Sequence, residues 1–138
     1  MQTQCSRILL VEDSKPEREA LAAVLRDEGY EVDEAEDGES TMLMLESRRP
    51  DLLLLDLRLQ GADGFSVLTH LQKSHNDVPV IVMTGLDVNE IQRSMGRLPV
   101  HELPPLLLKP VDAKQLLALV ALRLGGELPG GTTGAAEQ

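Results

Sequence analysis

The chain has 138 residues, a formal net charge of −10, 42% hydrophobic residues and one cysteine, Cys5. That length suits a single domain. The charge argues against direct nucleic-acid binding, and a lone cysteine excludes an internal disulfide and fits a reducing, cytoplasmic compartment. Phe65 and Tyr30 are the only aromatic residues, so the core must be aliphatic; every apolar run is too short to span a membrane, and the first residues carry no secretory signal.

The first strand-like run is "RILLV", residues 7–11. A helix follows, with Ser14 and Glu17 spaced as a capping box, Pro16 in its first turn, and Ala20, Leu21, Val24 and Leu25 as its apolar stripe. Gly29 ends it. "EVDEA", residues 31–35, alternates and predicts a strand with one exposed face. Residues 38–47 carry Met42 and Leu45 at helical spacing. "DLLLLD", residues 51–56, is apolar on both faces, as a central parallel strand should be. Phe65, Leu68 and Leu71 mark a third helix, and "VPVIVM", residues 78–83, a fourth strand. A weak helix is expected over roughly 87–95, a fifth strand at "PLLL", residues 105–108, and a last helix capped by Asp112 and carrying Leu116, Leu117, Val120 and Leu124. Residues 1–124 are therefore expected to form the domain, and the Gly-, Pro- and Thr-rich stretch 125–138 a flexible tail or the start of a linker. Strands alternating with helices predict an α/β fold: a doubly wound, five-stranded parallel sheet with helices on both faces.

In such sheets ligands bind beyond the carboxyl ends of the strands. The residues just past those ends are Glu12 and Asp13, then Asp56, then Thr84, then Lys109. Three carboxylates on one rim repel one another unless a cation sits among them, and hard oxygen donors suit Mg²⁺. A metal, an ammonium and a hydroxyl also form the apparatus that neutralises a phosphoryl group in transfer, which makes Asp56 a candidate nucleophile.

The chain resembles the response-regulator receiver domains of two-component signalling. The resemblance is carried by "LLVEDS" (residues 9–14), "PDLLLLDLRLQGADG" (50–64), "VPVIVMTG" (78–85) and "LLLKPVD" (106–112), which together span 7 to about 124. It implies the flavodoxin-like strand order 2-1-3-4-5. It implies that Asp56 is the phosphoacceptor, that Asp13 binds Mg²⁺ directly with Glu12 acting largely through water, and that the backbone carbonyl of Arg58 completes the protein ligands. Thr84 then resembles the switch hydroxyl, and Lys109 the lysine that pairs first with Asp56 and then with phosphate. Pro110 follows it in what is typically a cis bond. The implied partners are a histidine kinase or phosphotransfer protein upstream and an unidentified protein downstream. Self-phosphorylation and self-dephosphorylation are the only catalysis implied.

Three departures stand out. Leu106 occupies the position three before the lysine where the family usually has an aromatic residue. Gln60 stands where the family often has proline. The stretch from Thr84 to Lys109 is long and holds Pro99, Pro104 and Pro105, which break helices and strand ladders. With no ring to rotate inward, the segment 98–105 is the element expected to reorder on phosphorylation, the alternative being output through another face altogether. Two other readings stay open. One is an aspartate-nucleophile phosphatase of the haloacid-dehalogenase type, although that class puts a second acid where this chain has Arg58. The other is a receiver-like scaffold whose output ignores phosphate. His70, in "HLQKS", fits an exposed helix residue better than a phosphorylated one, and His75 and His101 lack metal-ligand spacing.

Overall fold

The computed structural model describes residues 6–58, 64–85 and 104–125. In chain order these form β1 (Arg7–Val11), α1 (Lys15–Asp27), β2 (Glu31–Ala35), α2 (Gly38–Ser47), β3 (Leu52–Asp56), α3 (Gly64–Lys73), β4 (Val80–Thr84), β5 (Leu106–Leu108) and α4 (Ala113–Arg123). The strands make one five-stranded parallel sheet in the order β2-β1-β3-β4-β5. This is the order the motifs imply. The fourth strand starts two residues later than "VPVIVM" suggests and runs on through Thr84. The helix expected over 87–95, the proline-bearing segment up to residue 103, Gln60, Cys5 and the tail from 126 onward lie outside the described residues.

The leucine run of β3 explains itself by alternation. Successive strand side chains point to opposite faces. Leu53 and Leu55 join Leu9, Val11, Val80 and Val82 in one core layer, which α2 and α3 cover with Leu45, Val67, Leu68 and Leu71. Leu52 and Leu54 join Ile8, Leu10, Ile81 and Met83 in the other, covered by Ala22 and Leu25 of α1 and Leu116 and Val120 of α4. A strand buried on both faces has to be apolar until a charged residue on it finds partners, and β3 stays apolar up to its last residue, Asp56. β2 lies at the sheet edge with Glu31 exposed, so its polar alternation is retained.

Local capping sets where the helices begin. Asp37 accepts from the Ser40 N–H at 2.7 Å, and Asp112 from the Gln115 N–H at 3.3 Å. Such side-chain oxygens satisfy donors that have no partner within the helix. At α1 only half of the expected capping box forms. Ser14 Oγ accepts from the Glu17 N–H at 3.5 Å. The Ser14 N–H is already taken, at 3.1 Å, by Glu12 Oε2. The Glu17 carboxylate therefore has no N–H to return to at Ser14, and it turns toward the end of the sheet.

Candidate phosphoacceptor pocket

Four chain segments deliver the candidate residues to one rim: the turn after β1, the end of β3, the end of β4 and the residue following β5. The ladder itself brings them together. Glu12 N–H donates to the Ala35 carbonyl at 3.0 Å, Leu57 N–H to Met83 at 3.1 Å, and Lys109 N–H to the Thr84 carbonyl at 2.9 Å. Each of these bonds pins a strand end to its neighbour just where a functional side chain projects. The Lys109–Pro110 peptide is cis.

Glu12 and Asp56 are almost fully buried, with 1% and 2% of their surface exposed. Buried carboxylates need partners, and both have them. Lys109 Nζ donates to Glu12 Oε1 at 2.7 Å and to Asp56 Oδ2 at 2.9 Å. The other Asp56 oxygen, Oδ1, accepts from the Arg58 N–H at 2.9 Å. Burial pushes the Glu12 carboxyl up to about 7, against the lowering effect of its hydrogen bonds to Lys109 and Ser14, and the nearby Asp56 charge adds to the rise. Burial alone would depress the Lys109 ammonium, but its bonds to Glu12 and Asp56 outweigh that and hold it above the ordinary lysine value.

Asp13 is half-buried beside them. One carboxylate oxygen from each of Glu12, Asp13 and Asp56 lies within 4.8 Å of the others. Three hard oxygen donors at that spacing, with more negative charge than the Lys109 ammonium balances, are the donor set that a small divalent cation takes. Thr84 is fully buried at the end of β4. Gly64, the first residue of α3, packs onto the end of β3. A Cβ there would lie 2.6 Å from both the Asp56 carbonyl oxygen and the Leu57 Cα, so only glycine permits this approach. Leu106, in the place of the family aromatic, is 36% exposed at the start of the short outermost strand β5.

Two side chains enter the pocket's surroundings that sequence reading did not place there. Glu17, assigned to the helix cap, instead accepts from Lys109 Nζ at 3.1 Å through Oε2. Arg18 donates through Nη1 to the Glu12 carbonyl at 2.9 Å and through Nε to Glu34 Oε1 at 3.1 Å, tying the acidic turn to α1 and β2. Their neighbouring positions one and two helical residues past Pro16 were the available signal, but only the phase of α1 decides which way each points.

The chain matches the response regulator receiver domain family over residues 8–121 and belongs to it. It is accordingly the receiver domain of a two-component response regulator. Among its relatives is the response regulator MprA of Mycobacterium avium, 40% identical over 81 residues, a match covering 59% of this chain and 36% of MprA. The match thus takes in only about a third of the length of that curated relative. In structure it is similar to the receiver domain of NtrX from Brucella abortus, with 32% identity, a TM-score of 0.73, and 86% of this chain and 98% of that one covered. It is also similar to a response regulator receiver protein from Pseudomonas putida, with 30% identity, a TM-score of 0.74 and the same coverage of 86% and 98%.

Proposed function

We propose that this domain is a Mg²⁺-dependent phosphoacceptor whose nucleophile is Asp56. The observation that carries the reading is a buried carboxylate held by a lysine and placed within 4.8 Å of two further acids, at the strand ends of a receiver fold. The donor is a histidine kinase or phosphotransfer protein, as the family implies, and the consequence is a change in which protein the domain binds. Among the described residues no helix is long and apolar enough to cross a membrane; a cytoplasmic site of action is part of the same proposal.

Each side chain has a task. Asp56 supplies the attacking oxygen, while the Arg58 N–H keeps its other oxygen oriented. Asp13 and Asp56 would hold Mg²⁺ with the Arg58 carbonyl, and Glu12 would support it through water. When bound, the ion supplies charge neutralisation for the transferring phosphoryl oxygens. Lys109 neutralises charge from the opposite side and stays protonated throughout, since its carboxylate partners raise its pKa. Thr84 offers a hydroxyl to the phosphoryl group once it is in place. Catalysis of its own phosphorylation and dephosphorylation is the whole of the domain's chemistry. Arg58, where a phosphatase of the alternative class would have its general acid, gives no proton donor for turnover of a substrate ester.

Acetyl phosphate with Mg²⁺ tests this. Intact mass should rise by one phosphoryl group, with the modification on Asp56, and EDTA should prevent it. Asp56→Asn should remain unmodified. Modification that persists in the asparagine variant would place the acceptor elsewhere.

A further inference from the structure

An ammonium has three N–H donors, and Lys109 spends all three on carboxylates. The partners are Glu12 Oε1 at 2.7 Å, Asp56 Oδ2 at 2.9 Å and Glu17 Oε2 at 3.1 Å. The three are not equivalent. The side chains of Glu12 and Asp56 are 1% and 3% exposed, whereas that of Glu17 is 55% exposed. Releasing either buried carboxylate would leave a desolvated charge unpaired. Releasing Glu17 returns it to water, and an exposed ion pair of this kind is worth little. Glu17 also lines a cleft together with Ala20, Leu21, Lys109, Pro110 and Val111.

Resting on the phosphoacceptor reading, we propose that Glu17 is a positioning residue that holds Lys109 in the resting pocket and competes with the incoming phosphoryl group for it. In transfer from an acyl phosphate, the bond from phosphorus to the acyl oxygen breaks, and its electron pair leaves with the carboxylate product. A bond forms between phosphorus and an Asp56 oxygen. The phosphoryl oxygens then need a cation, and the Lys109 N–H that costs least to redirect is the one on Glu17. Glu17 thereby slows uptake in two ways. It occupies the lysine, and it places an additional negative charge on the path of an anionic donor. The strength of this single exposed contact sets how readily the resting domain accepts phosphate from small donors.

The test compares the parent chain with Glu17→Gln, Glu17→Asp and, as a control for net charge, Glu19→Gln on the exposed face of the same helix. Phosphorylation rates are measured against acetyl phosphate concentration at saturating Mg²⁺, and affinity for beryllofluoride is measured in parallel. Glu17→Gln should be phosphorylated about three- to fivefold faster and bind beryllofluoride more tightly by a similar factor. Glu17→Asp, one methylene shorter, should fall between parent and Gln. Glu19→Gln should change the rate by less than about twofold. Nitrogen-detected NMR of the Lys109 ammonium supplies a readout that mere helix stability would not move: its proton exchange should quicken in Glu17→Gln before any donor is added. Equal rates in parent and Glu17→Gln, or equal acceleration by Glu19→Gln, would overturn the competition. A parent that is never modified at Asp56 overturns the phosphoacceptor reading itself, whereas a modified parent with an indifferent Glu17→Gln overturns only the role of Glu17.

Discussion

Asp13→Asn should make the metal-free domain more stable. The side chain keeps its shape and loses its charge. In the parent its carboxylate lies within 4.8 Å of those of Glu12 and Asp56, and the Lys109 hydrogen bonds go to Glu12, Asp56 and Glu17. Two unit charges at that separation repel by about 0.9 kcal/mol in water and about 3.5 kcal/mol at an effective dielectric near 20. Asp13 is half-buried and has two such neighbours. Glu12, pushed up to about 7 by burial, carries its full charge only above that pH, so the comparison is made at about pH 8, and the Lys109 charge partly offsets both. A net gain of about 1–2 kcal/mol is the expected balance, or a rise in Tm of about 4–8 °C for a domain of this size. The measurement is thermal unfolding by circular dichroism in EDTA at low salt. Saturating Mg²⁺ should close or reverse the gap, because a ligand stabilises by mass action only the protein that binds it well. A variant that melts at or below the parent in EDTA would refute the picture of three mutually repelling carboxylates short of a cation.

Arg18→Gln should weaken Mg²⁺ binding about tenfold, as loss of a residue that orients metal ligands commonly does, through release of the Glu12 carbonyl and of Glu34; calorimetric titration with unchanged affinity would show the turn to be held by other means. Gly64→Ala should destabilise by about 2 kcal/mol or more in urea unfolding, because the added methyl meets backbone that cannot yield; parental stability would mean that α3 can shift away from the end of β3. Asp37→Ala should lower Tm by a few degrees at pH 7 and by much less near pH 3. The hydrogen bonds from Ser40 hold the Asp37 carboxyl below its ordinary value. The folded-state pKa is thus the lower one, and the cap stabilises above the unfolded pKa and loses its effect as pH falls through the folded one. An equal loss at both pH values would separate the cap from its charge.

The three pocket acids and Lys109 were legible in the sequence for a physical reason. Glu12 and Asp13 follow the end of β1, Lys109 follows β5 and Asp56 is the last residue of β3, and the central strands are legible because two-sided burial keeps them apolar up to that end. Alternation in the leucine run sorts Leu53 and Leu55 to one layer and Leu52 and Leu54 to the other, which puts β3 at the centre of the sheet and Asp56 at its carboxyl end. Glu17 and Arg18 obey no such rule. They lie on the first turn of α1, about 100° apart around its axis, so one reaches the rim and the other reaches β2. Capping statistics sent Glu17 back to Ser14, and that prediction lost to a competitor. The Ser14 N–H was claimed by Glu12 Oε2, an acid that is buried and had to find donors for both of its oxygens. With that donor gone, Glu17 reaches the ammonium of Lys109 instead. The need to satisfy one buried carboxylate thus redirects an exposed one 5 residues further along the chain, and coupling of that kind depends on which donors are left after the most buried groups have been served, which no local pattern of residues encodes.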